Sequence, residues 1–366
     1  MKRVSLVQVG VGTVGGAVVE QVLENRRRWR ESFGIDVTFA AAATRTGAEL
    51  AATPDGLEPA RLRALVDRRR SGNSAGTGQE VPLAEAVDMV CASGPTVVID
   101  AGAGDATADV LVQALDAGAG VVLSNKAPLA LPMRDPRATA LWSQSGAIGR
   151  LRYEATCGAG LPVISTLQAL LDTGDEVLEI SGTLSGTFGA IFSDVGTGTL
   201  FSEAVRKAQA QGYTEPDPRD DLSGLDVARK GLILSRTIGE MIDLDHIAVH
   251  SLVPPHLVDV SVSEFLDRLG DQDLEIARQA GESLAMDTSL KYIMHWSQGK
   301  GVQVGLRHIP KATVLGALQG PENIVSFRTV RYDRYPCVIS GPGAGAAVTA
   351  GGMVADMLAL AHRLAG

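Results

Sequence analysis

Short apolar runs that stop at glycine, each leading into a stretch with helical periodicity, organise the first part of the chain. Residues 4–9, VSLVQV, end at Gly10-Val11-Gly12-Thr13-Val14-Gly15-Gly16 and pass into AVVEQVLENRRRW, which reads as a helix of about four turns. A second run at 37–43 ends at Thr44-Arg45-Thr46. Charged helical segments come next, then a Gly/Ser-rich surface loop at 71–78, a strand at 96–100 that closes into Ala-Gly-Ala-Gly, a helix over 106–117 and the strand GVVLSNK. Strands alternating with helices predict a parallel, doubly wound sheet, so residues 1–150 are expected to form an α/β Rossmann-type nucleotide-binding domain.

From residue 151 the pattern changes. Strands are predicted at 152–155, 177–183, 291–296, 303–306, 329–332 and 337–339, with helices at 162–172, 201–210, 223–238, 262–266 and 272–286. Strands that neighbour strands, with helices gathered between them, predict a second, α+β domain over 151–339. The closing GPGAGAAVTAGGMVADMLALAHRLA is a glycine-rich turn and a helix, and the segment 340–366 is expected to return to the first domain.

Composition narrows the function classes. The 366 residues are 45% hydrophobic and 20% charged, enough for two ordinary globular cores. A formal charge of -9 offers no footprint for nucleic acid, and the one dense basic run, at 26–30, suits a solvated helix end. No apolar stretch reaches the roughly 20 residues of a membrane helix, and MKRVSLVQVG enters a strand without a cleavage site, so the chain is expected in the cytoplasm. Cys91, Cys157 and Cys337 have neither pairing nor metal spacing, and the six histidines form no ligand motif; His295 beside Trp296 reads as a packed residue. Only seven lysines stand against 26 arginines. A lysine kept in so arginine-rich a chain is a candidate proton carrier, because a guanidinium does not titrate in the useful range.

Two motifs carry chemistry. Gly10, Gly12 and Gly15 make GxGxxG between a strand and a helix: a tight turn, close approach of a pyrophosphate, and close helix packing. The acidic residue usual at the end of the second strand is absent, and Arg45 near that position favours NADP, with NAD left open. The second motif is GYTEPDPRDDLSGLDVARK at 212–230. Its prolines and carboxylates fix a loop, Ser223 is placed to cap a helix opening near Gly224, and Asp226 and Lys230 lie i,i+4 on one face of that helix. On an exposed helix such a pair contributes only about 0.3–0.5 kcal/mol, whereas beside a cofactor it holds a lysine ready to move a proton.

EPDPRDDLSGLDVARK resembles the signature segment of homoserine dehydrogenases. SNKAPLA (124–130), residues 153–192, SGPGAGAAVTAGGMVADML (340–358) and the N-terminal VGVGTVG resemble the same family in order and spacing, so the likeness spans nearly the whole chain. The resemblance implies Lys230 as proton donor and acceptor with Asp226 beside it, and Lys126 reaching toward nicotinamide and substrate. It implies Glu215 on the substrate amino group, with Asp221, Tyr213, Gly186 and Thr187 around it. Gly10, Gly12, Thr13, Val14, Gly15 and Gly345 would meet the cofactor. A sodium ion is implied on backbone oxygens of Glu154, Cys157, Ala159 and Leu161, where ligand quality does not depend on the side chain. The implied partners are L-homoserine, L-aspartate 4-semialdehyde and a second copy of the chain, the second domain serving catalysis and dimerisation.

Reducing an aldehyde places negative charge on its oxygen as hydride arrives, so a cation with an available proton has to stand within hydrogen-bond reach. Lys126 and Lys230 are suited to this, and Glu215 to a substrate ammonium. Two departures from the family pattern stand out: AGAGDATAD replaces a Thr/Ser-rich turn after the strand at 96–100, and Ala190 stands where an aromatic residue is common. Neither an ACT domain nor a fused aspartate kinase is expected. A paralogue reducing another small amino-acid aldehyde and a non-catalytic nucleotide sensor stay open as alternatives.

Overall fold

The computed structural model describes residues 1–72, 80–146 and 148–366. Most of the surface loop expected at 71–78 lies outside them. In chain order the elements are β1 (Lys2–Val9), α1 (Thr13–Phe33), β2 (Ile35–Ala43), β3 (Ala48–Leu50), α2 (Pro59–Arg70), α3 (Leu83–Ser93), β4 (Thr96–Asp100), α4 (Ala108–Asp116), β5 (Gly120–Leu123), α5 (Pro136–Ser143), β6 (Leu151–Arg152) and α6 (Val163–Asp172). They continue with β7 (Val177–Thr183), α7 (Gly186–Gly196), α8 (Phe201–Ala210), α9 (Pro218–Leu222), α10 (Leu225–Thr237), β8 (Ala248–Val249), α11 (Val262–Arg268), α12 (Asp273–Ala285), β9 (Thr288–Ser297), β10 (Gly301–Pro310), α13 (Val314–Ala317), β11 (Asn323–Thr329), β12 (Cys337–Gly341) and α14 (Ala346–Ala365). The chain divides into two units, Met1–Gln168 with Ala344–Gly366, and Ala169–Gly343.

In the first unit the strands run β3-β2-β1-β4-β5-β6, parallel except for β3. The chain leaves β1 toward β2 on one side and takes up β4 on the other, so the strand order reverses between β1 and β4. Ligands of open α/β sheets bind at such a crevice. Strands buried on both faces explain the unbroken apolar runs of the sequence. Val18, Val19 and Val22 of α1 and Met353, Met357 and Leu360 of α14 pack into one core with Leu6, Val97 and Val122. The i, i+4, i+7 spacing of the three α14 residues gives that helix its buried face. Each such side chain contributes roughly 1.5–3 kcal/mol.

The expected strand at 152–155 is corrected: only Leu151 and Arg152 pair with β5, and Glu154–Thr156 winds into a 3-10 turn. The turn lets the buried Glu154 carboxylate accept the Ile164 and Ser165 N–H groups at 2.6 and 2.9 Å, satisfying the open end of α6. The Glu154 N–H donates to Asp356 of α14 at 2.8 Å. These bonds carry the first unit through Gln168, past residue 150.

The second unit holds a sheet in the order β12-β11-β7-β9-β10-β8, antiparallel except for β8 against β10. One face carries Ile180, Tyr292, Met294, Trp296, Val325 and Phe327, all buried, and meets α7, α10 and α12. Phe188 of α7 stacks on Tyr292, ring centres 3.7 Å apart. The strand expected at 329–332 lies earlier, at β11, where Asn-Ile-Val-Ser-Phe supplies the alternation. Past Thr329 the chain turns because the Asp175 carboxylate takes both the Thr329 hydroxyl at 2.7 Å and the Arg331 N–H at 3.2 Å. Helices α7 and α9 were not expected. Three glycines, Gly186, Gly189 and Gly196, weaken the helical signal of α7, which Ser185 caps through the Phe188 N–H.

Candidate functional site

In the first unit Gly10 takes φ +81° at the end of β1, and Gly12 starts α1. A Cβ on Gly15 would stand 2.0 Å from the Gly10 carbonyl oxygen, so the first turn of α1 and the turn before it touch through bare backbone. At Gly12 the opposite holds: nothing lies within 4 Å of a Cβ position. No acidic side chain occupies the first turn of α1, and no side chain caps it. Unopposed N–H groups, a positive dipole end and open space fit a pyrophosphate. Thr13 and Val14 open the same helix, Arg45 is exposed just beyond β2, and Gly345 starts α14.

The loop after β4 meets this turn, for the Ala101 carbonyl lies 2.9 Å from a Cβ built on Gly10. Its shape comes from Asp100, a residue the sequence reading missed. The fully buried carboxylate accepts the Gly102 N–H at 2.8 Å, the Thr107 hydroxyl at 2.7 Å and the Asn125 amide at 3.1 Å. Burial pushes this carboxyl up, while those three donors pull the other way. The signal was present as a carboxylate ending the apolar run TVVID. Asn125 also donates to the Gly104 carbonyl at 2.7 Å and accepts the Ala127 N–H at 3.2 Å, fixing the backbone on either side of the half-buried Lys126.

In the second unit the acidic segment is folded around α9 and α10. Asp217 caps α9 through the Arg219 N–H, and Gly224 begins α10 at φ +74°. A side chain at Gly224 would strike the Tyr292 hydroxyl, 2.0 Å from its Cβ position. Ser223 therefore closes α9 and is not the cap residue of α10, although its hydroxyl still accepts the Leu225 N–H at 3.3 Å. One turn on, Lys230 is 8% exposed. Its ammonium pairs with Asp226 at 2.8 Å and donates to the Leu184 carbonyl at 2.6 Å. That carbonyl, two residues before Gly186, is a fixed partner the sequence gave no sign of.

The Thr187 hydroxyl of α7 lies 2.6 Å from the Tyr213 carbonyl and 2.9 Å from Asp221 Oδ1, and Asp221 Oδ2 accepts the Glu215 N–H at 2.8 Å. Five implied substrate positions, Gly186, Thr187, Tyr213, Glu215 and Asp221, are thus joined through chain and hydrogen bonds, with the Glu215 side chain left exposed. Burial pushes the Asp221 carboxyl up; the Glu215 N–H and Thr187 oppose this, and Asp226 and Asp220 add to it. Arg219 was also missed. Its guanidinium chelates Asp217, reaches the Leu257, Val258 and Val260 carbonyls at 3.2, 2.7 and 2.7 Å, and lies over the Phe265 ring.

The loop from Glu154 to Leu161 is buried in the first unit, with Ala159 in the left-handed region at φ +56°. The Glu154 and Leu161 carbonyls each accept one N–H, from Cys157 and Val163, which leaves each a lone pair. Among the described residues no three His, Cys, Asp or Glu side chains gather as a metal site. A cation here would rest on carbonyls, with the half-buried Asp356, its carboxyl pushed up to about 7 chiefly by desolvation, close by through the Glu154 N–H.

Two family models match: Homoserine dehydrogenase over residues 162–358, and Homoserine dehydrogenase, NAD binding domain, over residues 10–140. A bifunctional aspartokinase/homoserine dehydrogenase 1, chloroplastic, of Arabidopsis thaliana is 37% identical over 361 residues, 97% of this chain. The chain spans 38% of that relative's length. Homoserine dehydrogenase of Saccharomyces cerevisiae is 33% identical over 371 residues, 99% of each chain. A hyperthermophilic archaeal homoserine dehydrogenase solved in complex with NADPH shares the fold at TM-score 0.72 and 22% identity, covering 99% of this chain and 98% of that one.

Proposed function

Because the chain belongs to the homoserine dehydrogenase family of oxidoreductases, we propose that it interconverts L-aspartate 4-semialdehyde and L-homoserine with NAD(P)(H), a step toward threonine and methionine. The observation that carries the mechanism is Lys230, an ammonium withdrawn from water and aimed by Asp226 and the Leu184 carbonyl. Bound NADPH supplies the hydride. Lys230 gives its proton to the substrate oxygen as charge develops there, and takes it back in the oxidative direction. Asp226 orients the ammonium, Lys126 adds a second cation, and the exposed Glu215 carboxylate receives the substrate ammonium. Tyr213, Gly186, Thr187 and Asp221 shape that subsite.

Gly10, Gly12, Thr13, Val14, Gly15 and Gly345 would hold the cofactor through backbone, and Arg45 would meet a 2′-phosphate, which favours NADP. A sodium ion on the carbonyls of Glu154, Cys157, Ala159 and Leu161 would be structural, bracing the start of α6. A homodimer is part of the proposal: exposed Val314, Tyr335 and Val338 surround a concavity of about 650 Å³ on the second sheet, a surface suited to a second copy. The proposed compartment is the cytoplasm, whose reducing poise suits the three thiols.

The test is the initial rate of NADPH and of NADH oxidation with L-aspartate 4-semialdehyde, beside the reverse reaction with L-homoserine. Saturable turnover in both directions is expected, faster with NADPH at low cofactor. NADPH binding without turnover on either substrate would sink the assignment in favour of another small amino-acid aldehyde.

A further inference from the structure

We propose that Asp221 is held as a neutral carboxylic acid, whose proton locks the substrate segment 213–221 to the first turn of α7. The reason is a count of hydrogens. Thr187 Oγ1 has one hydrogen and two oxygen neighbours, the Tyr213 carbonyl at 2.6 Å and Asp221 Oδ1 at 2.9 Å. The shorter contact takes the hydroxyl hydrogen, since a carbonyl has none to give. The contact to Asp221 then needs a hydrogen from the other side, and a protonated Oδ1 supplies it. Oδ2 meanwhile accepts the Glu215 N–H at 2.8 Å, so every donor and acceptor of the cluster is matched. With an ionised Asp221, two acceptor oxygens would face a single hydroxyl hydrogen, at a threonine that is itself buried.

The surroundings favour the neutral form. On its own helix Asp221 has Asp220 beside it, α10 brings Asp226 with its partner Lys230, the preceding loop carries the exposed Glu215, and α7 contributes only the Thr187 hydroxyl. Burial and the two aspartates all disfavour a further negative charge. Asp221 is thereby a positioning residue: it fixes the Tyr213 to Glu215 backbone, and so the Glu215 carboxylate, without competing for the substrate ammonium. The inference rests on assigning this segment to the substrate, but the proton itself can be tested without substrate.

Asparagine reproduces the hydrogen-bond set of the neutral acid, its amide donating to Thr187 and its carbonyl accepting from Glu215. The full-length wild type, Asp221→Asn and Asp221→Ala are compared in thermal unfolding from acid to alkaline pH and in KM for L-homoserine. A carboxyl raised on folding stabilises fully below its unfolded value near 3.9 and loses that contribution as pH rises through its folded value. The Tm of Asp221→Asn should therefore gain on wild type by several degrees as pH rises. Asp221→Ala should raise KM about tenfold through lost hydrogen bonds, and Asp221→Asn should raise it by less. A Tm difference that moves the other way with pH, or an Asn variant that fails to fold or binds homoserine as poorly as the Ala variant, overturns the neutral acid. If the Tm series holds and no variant changes KM, the proton stands and the substrate assignment of the segment falls.

Discussion

The glycine turn of the first unit and the acidic segment of the second are built on opposite principles. The turn at Gly10 to Gly15 works by lacking side chains: a Cβ at Gly15 would overlap the Gly10 carbonyl, and the space over Gly12 is open. The segment at 213–230 works through side chains whose positions and protons are set by partners far along the chain. Asp221 meets Thr187, Lys230 meets the Leu184 carbonyl, and Arg219 meets carbonyls 38 to 41 residues away. A close backbone approach such as that of Gly15 to Gly10 tolerates no added atom, whereas a side-chain site tolerates a change that preserves its donors and acceptors.

That contrast can be broken by substitution. Gly15→Val should have the largest effect on binding, weakening NADPH affinity about 10- to 100-fold in a fluorescence titration, because an overpacked close approach costs about 1–3 kcal/mol. Equal NADPH affinity in this variant would remove the turn from the cofactor site. Arg219→Met comes next. It leaves three carbonyls without their guanidinium donor and Asp217 with only the backbone N–H of residue 219, and KM for L-homoserine should rise about tenfold with kcat little changed. A matching fall in kcat with unchanged KM would show that Arg219 does not act by positioning the substrate segment. Arg45→Ala should be mildest: an exposed guanidinium gives up about 0.2–1 kcal/mol, so KM for NADPH is expected to rise about two- to fivefold while that for NADH holds. Equal effects on both cofactors would free Arg45 of any role at a 2′-phosphate.

The same contrast explains what could be read from sequence. A glycine turn is a local property, and Gly10, Gly12 and Gly15 fall within one six-residue stretch, so strand, turn and helix were legible together. Asp226 and Lys230 were legible for the same reason, as neighbours on one helix face. The Thr187 to Asp221 pair spans 34 residues and starts on a helix whose glycines hide it, and Asp100 acts from beneath a turn that reads as featureless. The strands at 152–155 and 329–332 were misplaced because Glu154 and Asp175 bend the chain with carboxylates, an effect apolar alternation does not record. Ser223 misled in a similar way, having a cap residue's chemistry one position before the glycine that the Tyr292 hydroxyl requires.

The most direct test of the division between a backbone cofactor site and a side-chain catalytic site is a paired measurement on Lys230→Ala, of NADPH dissociation constant and of turnover on L-homoserine. The account predicts an unchanged dissociation constant and a kcat lower by about 10²- to 10⁴-fold, the range of a lost general acid–base group. Near-normal turnover would contradict the role given to Lys230 and the mechanism built on it.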